Sequence, residues 1–93
     1  MSDDPDFPKA EHALQVLRQA RLSRTEAAAI MVEDLAYETA NTGLRTPEVE
    51  DAHQAAWIAI SALAGALKEE GFAPNFLWKA ALRATETWIE LLD

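Results

Sequence analysis

Helix-stop and helix-start signals divide this chain into four segments of the same kind. Gly43 is followed by Pro47, and Gly71 by Pro74; in each pair the glycine can close one helix and the proline can open the next. Between these signals apolar residues recur at the spacing typical of amphipathic helices, and no strand-like alternation interrupts them. The sequence therefore predicts an all-α fold with helices at about 8–21, 24–42, 47–70 and 74–92.

The predicted helix starts carry residue types that stabilise a helix N-terminus. Pro8 fits the first turn of the first helix because its missing N–H would be unpaired there in any case. Ser23 and Glu26 have the spacing of a capping box, in which the hydroxyl accepts from the backbone N–H three residues on. Thr46 precedes Pro47 and is predicted to cap the third helix.

The length of the chain limits it to one modest core. A domain of 93 residues buries roughly two-thirds of the surface that its unfolded chain exposes. Nineteen alanines favour helices that approach one another closely, and short connections favour antiparallel neighbours. We expect a single domain over residues 1–93, folded as a small four-helix bundle with antiparallel neighbours and short loops, with residues 1–7 forming a flexible or loosely packed tail.

Charge and composition narrow the classes of function. Sixteen acidic and eight basic side chains give a net charge of −8, and such a field repels phosphate backbones and anionic lipids. We therefore expect no direct nucleic-acid binding and no membrane association. The longest apolar stretch, 55–67, is shorter than the roughly 20 residues of a membrane span. Without cysteine or a secretory signal, the predicted location is the cytoplasm.

The second predicted helix places large apolar side chains among carboxylates. On a helical wheel Ile30 and Tyr37 lie on its acidic outward face, and Trp57 of the third helix also lies outside. Such a face, with no lysine of its own, is typical of a docking surface for a basic and partly apolar partner. The alternative is that Ile30 and Tyr37 contact a neighbouring helix or the N-terminal tail. The predicted partner-binding residues are Glu26, Ile30, Glu33, Asp34, Tyr37, Glu38 and Trp57.

The fourth predicted helix spreads its apolar side chains over a wide arc. They cover roughly 200° of its circumference, about twice what an outer helix of a monomer needs. Either that helix is nearly central or part of its face joins a second copy of the chain. Three tryptophans in so short a chain favour the second alternative, since aromatic side chains are enriched in interface cores. The sequence therefore predicts a homodimer.

Residues that could carry out chemistry are few. Glu50 and His53 are three positions apart and share a helical face, as in half of a bundle metal site, but no second pair repeats the spacing. They are the only metal candidates, and we predict His53 to be an ordinary surface histidine. Ser61 lies about 12 Å along the helix from His53, too far to pair with it as nucleophile and base. No catalytic residue, metal site or cofactor is predicted.

Two classes of function follow from these residues. The first is a protein–protein interaction module, such as an inhibitor, immunity or antitoxin-like protein, whose second helix covers a basic surface of its partner. The alternative is an oligomeric metal- or small-ligand-binding bundle that uses Glu50 and His53, with a subunit interface completing the site. An enzyme is not expected.

Overall fold

The computed structural model describes residues 4–40 and 46–93. In these two ranges four helices and no strand are found: α1 (Phe7–Arg21), α2 (Thr25–Ala40), α3 (Pro47–Glu70) and α4 (Asn75–Leu92). Both α1 and α3 pack against α2 and α4, whereas in the described part of the chain the backbone of α1 does not approach that of α3, nor that of α2 the backbone of α4. The helices therefore stand at the corners of a square, and the predicted all-α four-helix bundle is confirmed.

Most helix ends use the predicted signals. The Thr46 Oγ1 accepts a hydrogen bond from the Val49 N–H over 3.4 Å at the start of α3. Gly71 ends α3 with a φ of 77°, the left-handed conformation that closes helix C-termini. Pro8 lies in the first turn of α1. The predicted stop at Gly43 lies outside the described residues.

Ser23 has a different role from the predicted capping box. Its hydroxyl donates to the carbonyl of Gln19 over 2.8 Å, and α2 begins at Thr25 rather than Arg24. The carbonyls of the last turn of α1 have no partner within that helix, so the nearby hydroxyl is drawn to them. The prediction that Ser23 caps α2 together with Glu26 is therefore wrong.

The N-terminal residues that the structure describes pack onto the bundle. Asp6 is buried, and its backbone N–H donates to the Asp4 carboxylate over 2.8 Å. The Phe7 N–H donates to the Asp4 carbonyl over 3.0 Å, and α1 begins at Phe7. Helix α1 therefore begins inside the range that the sequence assigns to a tail.

The core has two parts, one larger and richer in branched side chains. In the smaller part Trp88 of α4 packs among the alanines Ala10, Ala52 and Ala56 and against Leu92, where α1 and α3 begin and α4 ends. We call this region the Trp88 end of the bundle. The larger part fills the rest of the interior with Ala13, Leu17, Ala20, Ala28, Val32, Leu35, Ile60, Leu63, Ala64, Leu67, Trp78 and Ala81.

The wide apolar arc of α4 is accounted for by its position in the bundle. Helix α4 lies between α1 and α3 and packs against both, so two sides of it are covered. Trp78 and Trp88 are buried within the chain itself, while Phe76 and Leu91 remain exposed. The homodimer stays a prediction. None of the four helices, over the ranges described, is long and apolar enough to cross a membrane.

Candidate functional site

The predicted partner-binding residues of α2 lie on two sides of the helix. One group lines two adjoining pockets between α2 and α3, which share Glu33 and Lys68 and which together we call the α2–α3 groove. The other group faces the groove between α1 and α2. The first group is Glu26, Ile30, Glu33 and Tyr37, and the second is Asp34 and Glu38. The structure therefore brings together four of the six residues predicted on this helix.

Ile30 and Tyr37 form the apolar edge of the α2–α3 groove. Their side chains are 65% and 71% exposed, so neither is covered by a neighbouring helix. Between them Glu33 Oε1 lies 3.6 Å from the Nζ of Lys68 on α3. Helix α2 has no lysine on this face. The positive charge that compensates Glu33 comes from Lys68 of the neighbouring helix.

The floor of the α2–α3 groove is made of small residues. Gly65 lies inside the second half of α3, and a Cβ added there would have no atom within 4 Å. Glycine inside a helix is less favourable than alanine by roughly 1 kcal/mol, so nothing within the fold itself accounts for it. The sequence signal that could have pointed to this part of the groove is an isolated glycine inside a helical pattern. The other small residues of the floor are Ala29, Ala36, Ser61 and Ala64.

Trp57 does not itself line the α2–α3 groove. It is half-buried and stands one helical turn before Ser61, which lines the groove. Residues four apart on a helix share a face, so Trp57 lies on the side of α3 that the groove uses. Its place in a surface with Ile30, Glu33 and Tyr37 stays a prediction.

His53 is buried at the Trp88 end, so the prediction of a surface histidine is wrong. It is 3% exposed, and its Nε2 lies 2.6 Å from the carbonyl oxygen of Thr39. That carbonyl belongs to the last turn of α2 as far as the structure describes it, where a carbonyl has no partner within the described helix. The ring also meets the indole of Trp88 edge-on, with centroids 5.1 Å apart. His53 shares its face of α3 with Ala56 and Ile60, both buried.

The Glu50 and His53 pair does not form a metal site by itself. The Nδ1 of His53 lies 3.9 Å from Glu50 Oε1 and has no hydrogen-bond partner in the described part of the chain. Within residues 4–40 and 46–93 no group of three or more histidine, aspartate or glutamate side chains could hold a metal ion.

A pocket lies between α1, α2 and α4 at the Trp88 end, and we call it the Trp88 pocket. Its volume is about 320 Å³. The indole Nε1 of Trp88 is buried and has no hydrogen-bond partner among the described residues. Sequence reasoning missed this pocket, because it treated Trp88 only as core or dimer interface. The lining residues are Lys9, His12, Leu35, Glu38, Thr39 and Trp88.

Comparison with known proteins finds no family model, no curated protein and no solved structure that matches the chain. A function for this protein therefore has to be inferred from the surfaces and pockets of the bundle.

Proposed function

We propose that this protein is a protein–protein interaction module that covers a basic surface of its partner with the α2–α3 groove, as an inhibitor, immunity or antitoxin-like protein does. The exposure of Ile30 and Tyr37 carries the proposal. The two side chains are seven residues apart on α2, which is about two turns or 10 Å. Exposed apolar side chains grouped in this way, with polar residues around them, are typical of binding sites.

The charge of the surface favours a basic partner. The net charge is −8, and Glu26 and Glu33 line the groove beside a single lysine, Lys68. Asp34 and Glu38 add two carboxylates on the adjoining side of α2. Complementary charge speeds association and selects among partners. A second copy docked symmetrically would place the same carboxylates near one another, so we assign the predicted homodimer contact to Phe76 and Leu91 of α4 instead.

The shape of the groove favours a helix as the occupant. Gly65 and the small residues beside it allow a foreign backbone to approach α3 closely, since glycine presents no Cβ. Ile30, Tyr37 and Trp57 would then contact the apolar stripe of that helix. Helix-in-groove recognition uses anchors of this kind at one-turn and two-turn spacing. The partner we propose is an amphipathic helix with lysine or arginine beside its apolar stripe.

Removing the apolar edge tests this proposal. The double variant Ile30→Ala, Tyr37→Ala is expected to lose at least tenfold in affinity for partners that the natural protein captures, since exposed aromatic anchors account for much of an interface. Leu22→Ala is the matched control, because Leu22 is 85% exposed and does not line the groove. Affinity purification with quantitative mass spectrometry measures capture, and circular dichroism checks the fold. Equal capture by the double variant and the control would contradict the proposal.

Filling the groove floor is an independent test. Gly65→Leu should leave the free protein folded, because a Cβ there meets no atom within 4 Å and the position lines an open groove, but it should block a helix from the groove. Ala62→Leu is the control, since Ala62 is exposed on the same helix and lines no part of the groove. If Gly65→Leu binds the captured partner as tightly as Ala62→Leu does, the partner does not occupy the groove.

The alternative function, a metal or small-ligand bundle built on Glu50 and His53, has less support. The Nε2 of His53 is 2.6 Å from the Thr39 carbonyl, so a metal would have to break that contact or use the Nδ1 alone. Native mass spectrometry of protein purified without chelator tests it. Stoichiometric metal that disappears in His53→Ala would favour this function over the interaction module.

A further inference from the structure

The outward side of helix α4 carries a row of charged side chains in which the basic residues precede the acidic ones. Lys79 and Arg83 lie in the first half of the helix, and Glu86 and Glu90 lie in the second half. All four are exposed, and none has an ion pair in the part of the chain that the structure describes. Residues three and four positions apart share one side of a helix, so these charges form a single row about 17 Å long.

An exposed apolar side chain lies near each end of this row. Phe76 is 67% exposed at the start of α4, and Leu91 is 44% exposed near its end. Between them lie Ala80 and Thr87, which are exposed and small. Small side chains shorten the distance at which two helices pack, so another helix can approach the middle of this surface closely. We call the charged row and these four residues together the α4 face.

The charges of the α4 face are complementary to a second α4 that runs antiparallel. A two-fold axis perpendicular to both helices places the same edge of each helix together, and each contact then occurs twice. With the axis near Ala84, Lys79 lies opposite the partner's Glu90. Arg83 lies opposite the partner's Glu86. A parallel pair would instead bring each charge against its own copy, and like charges across an interface disfavour association.

We propose that the α4 face binds a second copy of this chain in an antiparallel two-fold dimer. Phe76 of each copy packs against the partner's Leu91, which lies within one turn of the opposite position, and both apolar side chains leave water. The ion pairs across the axis offset the repulsion between two molecules that each carry a net charge of −8. This dimer develops the contact assigned to Phe76 and Leu91, and it leaves the α2–α3 groove free for its own partner.

Charge reversal tests the proposed ion pairs. The double variant Lys79→Glu, Arg83→Glu makes the row entirely acidic, and Glu86→Lys, Glu90→Lys makes it entirely basic. Each double variant alone should dimerise at least tenfold more weakly than the natural protein, because like charges then face one another. An equimolar mixture should recover a dimer with one copy of each. Analytical ultracentrifugation measures the association. A natural protein that stays monomeric at about 1 mM, or a mixture that stays monomeric, would overturn the proposal.

The variant Lys9→Glu, Arg24→Glu is the matched control for overall charge. It changes the net charge by the same amount as Lys79→Glu, Arg83→Glu does, and both of its positions are exposed and lie outside α4. We expect it to dimerise as the natural protein does. If both double variants weaken the dimer equally, overall repulsion rather than the α4 face is responsible, and the proposal fails.

Disulfide cross-linking tests the antiparallel orientation. The chain has no cysteine, so Ala80→Cys and Thr87→Cys each place a single thiol on the α4 face. In the proposed dimer these two positions lie opposite one another, whereas each lies at least about 9 Å along the helix from its own copy, too far for a disulfide. A mixture of the two variants should therefore cross-link faster than either variant alone. Faster cross-linking by the single variants would contradict the antiparallel dimer. Both tests use the purified protein alone, so a failure here leaves the partner of the α2–α3 groove unaffected.

Discussion

His53 joins three helices through one buried imidazole. It lies on α3, its Nε2 is 2.6 Å from the Thr39 carbonyl at the end of α2, and its ring packs against Trp88 of α4. A donor at this position satisfies one of the carbonyls that a helix C-terminus leaves unpaired. The Nε2 therefore carries the proton in this arrangement. Through these two contacts the imidazole links α3 to both α2 and α4.

Replacing His53 by leucine should destabilise the protein while keeping a side chain of similar size. The Thr39 carbonyl would be left buried without its partner, which costs about 1–3 kcal/mol. Urea unfolding followed by circular dichroism measures the loss. His12→Leu is the control, because His12 is exposed and its pair with Glu38 lies at the surface, where such pairs contribute at most about 1 kcal/mol. Equal losses in the two variants would show that the buried contact contributes nothing.

Helix α3 contains one glycine and is ended by another, and the two have opposite conformational requirements. Gly71 ends the helix with a φ of 77°, a conformation that side chains with a Cβ adopt only with strain. Gly65 is helical, and a Cβ there would meet no atom within 4 Å. The first glycine serves the fold, whereas the second weakens its own helix. Because the fold requires glycine at position 71 but not at position 65, we infer that Gly65 serves binding rather than folding.

Alanine substitution should therefore change the free energy of unfolding in opposite directions at these two positions. Gly65→Ala is expected to raise it by about 1 kcal/mol, the difference in helix propensity. Gly71→Ala is expected to lower it by about 1–2 kcal/mol, the cost of the left-handed conformation. Thermal and urea unfolding of the two variants beside the natural protein provide the comparison. A loss of stability in Gly65→Ala would mean that the fold itself needs glycine there.

The helices were predictable from the sequence because their signals are local. The Thr46 cap at the start of α3 and the Gly71 stop at its end depend on residues a few positions apart. The roles of Ser23 and His53 were missed, since each depends on which carbonyl at the end of a helix lies near it in space. The exposed positions of Ile30 and Tyr37 follow from periodicity alone, whereas Gly65 and the Trp88 pocket emerge only once the neighbouring helices are known.

Across the whole molecule the two parts of the core differ in strength. The Trp88 end is built on Trp88, Leu92 and three alanines, and it also buries the polar side chains of Asp6, Thr39 and His53. The remainder of the interior contains more buried apolar residues, with leucine, isoleucine, valine and Trp78 beside further alanines. Fewer buried apolar side chains hold the Trp88 end together, so its free energy of local opening should be lower.

Native-state hydrogen exchange should reveal this difference. Amides of α3 near Ala52 and Ala56 are expected to exchange faster than those near Ile60 and Leu63 on the same helix, because local opening exposes the smaller core first. Exchange followed by NMR resolves the two groups within one molecule, so each serves as the reference for the other. Uniform protection along α3 would indicate that the bundle opens only as a single unit.

The square arrangement has a consequence for how such a chain can change over evolution. Because each helix packs against two neighbours and, within the described residues, its backbone does not approach the helix diagonally opposite, the exposed side chains that line the groove between α2 and α3 differ from those on the surface between α4 and α1. Mutations that retune one of these surfaces leave the other as it was. A bundle of this kind can therefore acquire a new binding specificity on one side while keeping an older one on the opposite side.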